Sequence, residues 1–223
     1  MFSVSDAWKA AYPGAAAGVL ALANVANPES HSALDQLKDE LEEQIRSRFA
    51  DPQALRSEGR LQAYRTYYKR FDKTYHVQLQ LESVAFKNKS IPRVAALVEA
   101  MFMAELKNML LTAGHDLDVV EVPVRLSIAA GTERYIRLNG QEQQLKVGDM
   151  FIADAQGILS SVIYGPDQRT QILPGTRRVL FSVYAPPGIG EQAVADHLSD
   201  IRAYVQLIAP EARTELLQVY GTA

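Results

Sequence analysis

The 223-residue chain contains no cysteine. That excludes disulfides, a disulfide-linked partner, thiolate catalysis and cysteine-ligated zinc or iron–sulfur centres. The familiar nucleotide and hydrolase motifs are missing too: there is no P-loop, no Gly-x-Ser-x-Gly elbow and no His-Glu-x-x-His. Long uncharged hydrophobic runs are also absent. Ala15–Ala26 is apolar but falls short of the roughly 20 residues that cross a bilayer, and Ile91–Leu111 is interrupted by Arg93, Glu99, Glu105 and Lys107. Met1–Ala11, which carries Asp6, Trp8 and Lys9, lacks the basic-then-apolar layout of a signal peptide. A soluble, cytoplasmic protein with no membrane partner is expected.

What is present suits a globular domain. Hydrophobic residues make up 48% and charged residues 22%, too apolar a balance for a disordered chain. The formal net charge of −3 argues against broad nucleic-acid binding, because phosphate contacts supply most non-specific affinity. Charge is unevenly placed, however. Between Arg56 and Arg93, cations including Arg65, Lys69, Arg70, Lys73, Lys87 and Lys89 outnumber Glu58, Asp72 and Glu82, whereas the preceding helix is acidic. This is either a local basic face or two differently charged solvated helix faces.

The apolar pattern predicts a buried strand over Ala15–Val25 and an amphipathic helix over Glu29–Phe49, with Leu34, Leu37, Leu41 and Ile45 on one stripe. Ser57 is placed as the N-cap of a second helix, striped by Leu61, Tyr64, Tyr68 and Phe71. A short helix over Gln80–Asn88 and a long central helix from about Ile91 to Leu111 follow. After Gly114, strands are predicted over Val119–Ala129, Glu133–Leu138, Gln141–Leu145, Met150–Ala153, Ile158–Tyr164 and Arg178–Tyr184, with Asn139-Gly140 as a hairpin turn. A last helix shares Val194, Leu198, Ile201, Val205 and Ile208 on one face. With no repeat and no linker, the expectation is one α+β domain over residues 1–223, a mixed sheet packed with helices.

Two clusters carry chemistry. Gly114-His115-Asp116-Leu117-Asp118 is placed at the corner between the long helix and the strands. There His115 and Asp118 present an acid–base pair or orient a water, or else the aspartates cap a turn. One histidine and two aspartates fall short of a metal site, and nothing calls for a cofactor. The second cluster, Tyr164-Gly165-Pro166-Asp167-Gln168-Arg169-Thr170, is a polar turn between two apolar strands, either lining a pocket mouth or forming plain surface. His31, His76 and His197 read as structural or solvent-facing. Gly188-Ile189-Gly190 reads as a turn that starts a helix.

The order of these pieces resembles the B3/B4 domain of the bacterial phenylalanyl-tRNA synthetase β subunit, the module that edits misacylated tRNA, and free-standing proteins built from that domain alone. The resemblance covers about residues 55–190. It rests on Tyr64-Arg65-x-x-Tyr68-x-x-Phe71, then Leu81-Glu82-Ser83 followed by Ile91-Pro92 and Leu97-Val98-Glu99. His115-Asp116-Leu117-Asp118 then falls where the family has His-Ala-Phe-Asp, and Leu138-Asn139-Gly140, Gly148-Asp149, Ile152-Ala153-Asp154 and Tyr164-Gly165 complete the series.

The resemblance implies a free-standing, tRNA-binding hydrolase that cleaves the ester of a mischarged aminoacyl-tRNA in trans, with tRNA and an aminoacyl group as partners. His115, with Asp118, then holds the catalytic place. Tyr164, Asp167, Arg169, Thr170, Ser182 and Tyr184 are pocket candidates, and Arg65, Lys69, Arg70, Lys73, Lys87 and Lys89 are tRNA-binding candidates. Where the family has Gly-Gly-Glu, whose glutamate reads a tyrosine hydroxyl, this chain has Tyr164-Gly165-Pro166-Asp167, with Pro166 at the glutamate position and Asp167 beside it, so that reader is not carried over. The lost glutamate and the acidic net charge fit an alternative: a non-catalytic amino-acid-binding protein that uses the same pocket. On the catalytic reading, His115→Ala is expected to spare stability and abolish activity.

Overall fold

A computed structural model describes residues 1–222. Four strands, β2 (Ala16–Ala23), β3 (Thr112–Asp116), β10 (Arg178–Ala185) and β11 (Arg213–Gly221), form an antiparallel sheet in the order β11-β2-β10-β3. The run Ala-Ala-Gly-Val-Leu-Ala-Leu-Ala of β2 is buried at every residue but the last, as a strand covered on both faces requires. Helix α7 (Glu191–Ile208) lies against it. Gly18 permits the approach, because a Cβ there would clash with Val194 Cγ1.

The second sheet runs β1-β4-β7-β8-β9: β1 (Phe2–Val4), β4 (Val124–Ile128), β7 (Met150–Ala153), β8 (Ile158–Ser161) and β9 (Gly165–Pro166). β1 pairs parallel to β4, and the other pairings are antiparallel. The Asn139-Gly140 turn joins β5 (Arg134–Ile136) to β6 (Glu142–Gln144) in a separate hairpin. Helix α1 (Asp6–Ala11) follows β1, while α2 (Ser32–Arg48), α3 (Pro52–Arg56), α4 (Gly59–Lys69), α5 (His76–Lys87) and α6 (Ala96–Asn108) lie between β2 and β3. The architecture is α+β.

Helix α4 ties the two sheets together. The Tyr64 hydroxyl donates to the Tyr184 carbonyl of β10 at 2.6 Å. The Tyr68 hydroxyl donates to the Val162 carbonyl just beyond β8 at 2.8 Å, and the Tyr67 hydroxyl donates to Asp149 beside β7 at 2.7 Å. All three rings are buried, so each phenol supplies large apolar area while its hydroxyl finds a partner.

Several boundaries differ from the sequence reading. Ser57 does not start a helix; it ends α3, and its hydroxyl donates to the Ala54 carbonyl at 2.7 Å. The helix striped by Leu61, Tyr64 and Tyr68 is α4, whose N-cap is Glu58, one residue on and without a side-chain bond, while Asp51 caps α3, accepting from the Gln53 and Ala54 amides ahead of Pro52. The long helix begins at Ala96 rather than near Ile91, because its first amides are satisfied from far away: Ala96 N–H by the Pro28 carbonyl and Leu97 N–H by the Asn27 side chain. The strand expected from Val119 starts only at Val124. The chain also continues past the last helix into β11, which pairs with β2.

Thr112-Ala113-Gly114-His115-Asp116 is a strand, not a corner. Glycine and aspartate are poor strand formers. Pairing with Val179–Val183 of β10 and a loop docked on the outer edge, where Asp116 N–H donates to the Thr170 carbonyl, override that preference. Among the described residues, no helix is long and apolar enough to cross a membrane.

Candidate functional site

Register places His115 on the side of β3 that faces the second sheet. It pairs with Leu180, so Ala113, His115, Ser182 and Tyr184 share a face. Across the gap stands Ser160 of β8. His115 Nε2 lies 3.2 Å from Ser160 Oγ, and Ser160 Oγ lies 2.5 Å from Tyr184 Oη. On the other side of the ring, His115 Nδ1 is 2.8 Å from Thr170 Oγ1, and the Thr170 hydroxyl makes a short bond to Asp167 Oδ1. His115, Ser160 and Thr170 are fully buried, and Asp167 is nearly so.

These bonds have a direction. With Asp167 ionised, its carboxylate only accepts, so the single Thr170 hydroxyl proton points to it. Thr170 Oγ1 then accepts from His115 Nδ1–H, which leaves Nε2 to accept from the Ser160 hydroxyl. Ser160 in turn accepts from Tyr184 Oη–H. The chain runs Tyr184 to Ser160 to His115 to Thr170 to Asp167, and it holds the imidazole neutral. Burial, aided by the nearby Arg169 guanidinium, pulls the His115 pKa down to about 3. Burial also raises that of Asp167.

Arg169 closes this end of the cluster. Its guanidinium donates to Asp154 and to the Val119 carbonyl, both at 2.9 Å, and stands 3.7 Å from Asp167. Ser182 is buried beside the network, its hydroxyl 3.5 Å from the Ala113 carbonyl. Asp118 is not brought to His115. It is exposed at the turn after β3, with Arg178 at 3.4 Å.

An open cleft of about 710 Å³ lies next to the cluster. One wall is the α6 stripe Val98, Met101, Phe102 and Glu105; the floor includes Thr112–Gly114 of β3 and Tyr184; and the facing wall is residues 161–166 with Ile172. Tyr164 and Tyr184 line it, whereas Asp167, Arg169, Thr170 and Ser182 do not; Asp167, Thr170 and Ser182 are buried near His115, and Arg169 is partly exposed. Pro166, at the position of the missing glutamate, lines the cleft, and Asp167 is turned inward to Thr170.

A basic groove of about 700 Å³ runs alongside, lined by Arg56, Arg65, Lys69, Lys73 and Glu82. Arg56 is tied to Glu82 at 3.2 Å, while Arg65, Lys69 and Lys73 are exposed. Lys73 Nζ sits 5.8 Å from the centre of the Tyr164 ring, so the groove ends at the rim of the cleft. Arg70 points elsewhere, its guanidinium over Tyr12 and Phe71. Lys87 is exposed on α5, and Lys89 borders a separate hollow of about 310 Å³.

Sequence reasoning missed Ser160, Arg137 and Glu105. Ser160 sits in an apolar strand and gains its role only from the register of β8. Arg137 lines the cleft, and its backbone bridges to Asp167. Glu105 left a trace: it is an acid on an otherwise apolar helical stripe, three and four residues from Phe102 and Met101.

No known family model matches the chain. Over 69 residues, or 31% of the chain, the sequence is 32% identical to the phenylalanine–tRNA ligase β subunit of Mycoplasma pneumoniae, and the match spans 9% of that protein. In three dimensions, 98% of the chain aligns with 50% of an N-terminal fragment of the phenylalanyl-tRNA synthetase β-subunit from Pyrococcus horikoshii, with a TM-score of 0.46 and 11% identity. The chain is thus similar in sequence to a small part of a phenylalanine–tRNA ligase β subunit.

Proposed function

We propose that this chain binds the aminoacylated 3′ end of a tRNA and hydrolyses the ester in trans. The carrying observation is the contact of Lys73 with Tyr164, which joins a groove of exposed cations to a largely apolar cleft. Arg65, Lys69 and Lys73 suit a phosphate backbone, and the cleft suits an amino-acid side chain. The 69-residue likeness to a tRNA ligase subunit supports the same reading.

In the reaction, water adds to the ester carbonyl and the bond to the ribose oxygen breaks. The amino acid leaves as a carboxylic acid, and the ribose oxygen takes the proton. His115 is sealed from solvent and neutral, so it serves as a positioning residue: through Ser160 it fixes the hydroxyl of Tyr184, a residue that lines the cleft. Asp118, paired with Arg178 at the surface, is not assigned a step.

The burial of His115 favours a second reading, in which the cleft binds an amino acid or aminoacyl group without cleaving it. Incubating the protein with a panel of mischarged aminoacyl-tRNAs separates the two. Loss of the ester on at least one member supports hydrolysis. Salt-sensitive binding of the panel without loss of the ester supports the second.

A further inference from the structure

Glu105 is 1% exposed, yet it lines the cleft. Helix α6 ends just beyond it, with Met109 in the left-handed region at φ 61°, and the returning chain delivers Thr112 N–H to Glu105 Oε1 at 2.7 Å. Oε2 has no protein partner. An unpaired buried carboxyl oxygen is costly, and Glu105 lines the cleft beside Val98, Met101 and Phe102 of the same helix, with Arg137, Ser161 and Gln171 also in its lining.

We propose that Glu105 Oε2 is the polar reader of the cleft, donating a hydrogen bond to a neutral acceptor on the side chain of the bound acyl group. The inference rests on the aminoacyl-binding reading and names the ligand class for that same site: an apolar side chain interrupted by an ether, hydroxyl or amide oxygen. Burial pushes the Glu105 pKa up to about 8, so at neutral pH the group is an acid with a proton to give. Oε1 is occupied by the Thr112 amide and can only accept, which leaves Oε2 to carry that proton.

Burial and the Thr112 amide, not a neighbouring cation, set the ionisation of Glu105. The titratable groups packed around Glu105 are Tyr64 and Tyr68 of α4, Tyr75 before α5, and His197 of α7, which contacts Thr112 Oγ1 at 2.6 Å. His76 and Arg137 also line the cleft. Burial holds the three phenols protonated and His197 neutral, so none of these groups opposes proton donation by Glu105 with a charge.

The test uses stable 3′-aminoacylamino-3′-deoxyadenosines in isosteric pairs of two lengths, norvalyl against O-methylseryl and norleucyl against O-methylhomoseryl. Each ether oxygen replaces one methylene and only accepts. The wild-type protein should bind one ether analogue about tenfold more tightly than its hydrocarbon twin at pH 6.5, a value set by one buried hydrogen bond. The ratio should shrink above pH 8, and titration of the common α-amino group cancels within each pair. Glu105→Gln keeps an acceptor for Thr112 and a permanent donor, so it should keep the ratio and remove its pH dependence. Glu105→Leu should reverse the preference. Binding of all analogues with equal affinity, or a ratio unchanged in Glu105→Leu, would overturn the role of Glu105 and leave the aminoacyl-binding reading in place. No binding by any analogue would overturn both.

Discussion

His115 of β3 and Ser160 of β8 meet at 3.2 Å across the gap between the two sheets, with both side chains sealed from solvent. The contact makes His115 a structural keystone as well as a neighbour of the cleft. His115→Ala would take one hydrogen bond each from the Ser160 and Thr170 hydroxyls and leave a cavity, at a cost of about 3 kcal/mol. Urea denaturation should show that loss, which revises the expectation that the variant spares stability. An unchanged midpoint would contradict a buried imidazole bonded at both nitrogens.

Acid should unfold the protein through its two fully buried histidines. His115 and His197 both have pKa values lowered to about 3 by burial, against 6.5 in an unfolded chain. Below pH 6.5 the unfolded state takes up protons that the native state refuses. Their contribution is therefore fully present above 6.5 and is withdrawn as pH falls toward 3. Glu105 acts in the opposite sense: it is raised from 4.5 to about 8, and its contribution is present below 4.5 and lost as pH rises to 8. Melting temperatures of His197→Gln and Glu105→Gln across pH 4–9 should show a flattened acid limb and a flattened alkaline limb, respectively.

Gly18→Ala should destabilise strongly for its size. The new Cβ would clash with Val194 Cγ1 and meet Leu198 Cδ1 at 2.9 Å, forcing α7 off β2 at a cost of about 1–3 kcal/mol. Gly59→Ala is the control, since its Cβ would enter open space in a helix and should be neutral or stabilising. Equal thermal midpoints for the two variants would contradict the packing of α7.

The α+β class, the buried β2, the amphipathic α2 and α7 and the Asn139-Gly140 hairpin were legible because local periodicity and turn chemistry determine them. The start of α6 was not, since its cap comes from Asn27 and Pro28, far away in sequence. His115 stood out as a chemical residue, but its environment did not. Strand β3 is a weak local pattern held by β10, and the partners Ser160 and Thr170 arrive from elements 45 and 55 residues further on. Tyr164 sits in a polar turn that reads equally as pocket mouth or plain surface, and nothing local in its apolar strand marks Tyr184. Glu105 looked like an ordinary helix charge until α6 was seen to turn it inward.

The basic groove gives a quantitative expectation. Neutralising one lysine that meets a phosphate should lower the slope of log affinity against log salt by about 0.7–0.9. Lys69→Gln with Lys73→Gln should therefore weaken tRNA binding and flatten the salt dependence by roughly 1.5. Lys87→Gln, outside the groove, should change neither. A salt slope unaffected by the double variant would exclude the groove as the tRNA-binding surface.

The most direct measurement is ester hydrolysis across a panel of mischarged aminoacyl-tRNAs, with wild type beside the Lys69→Gln, Lys73→Gln variant. Hydrolysis of at least one member, slowed in the groove variant at low substrate concentration and restored toward wild type at saturation, is the expected result. Intact ester on every member, at protein concentrations that saturate the tRNA, would contradict hydrolysis in trans and leave a binding protein.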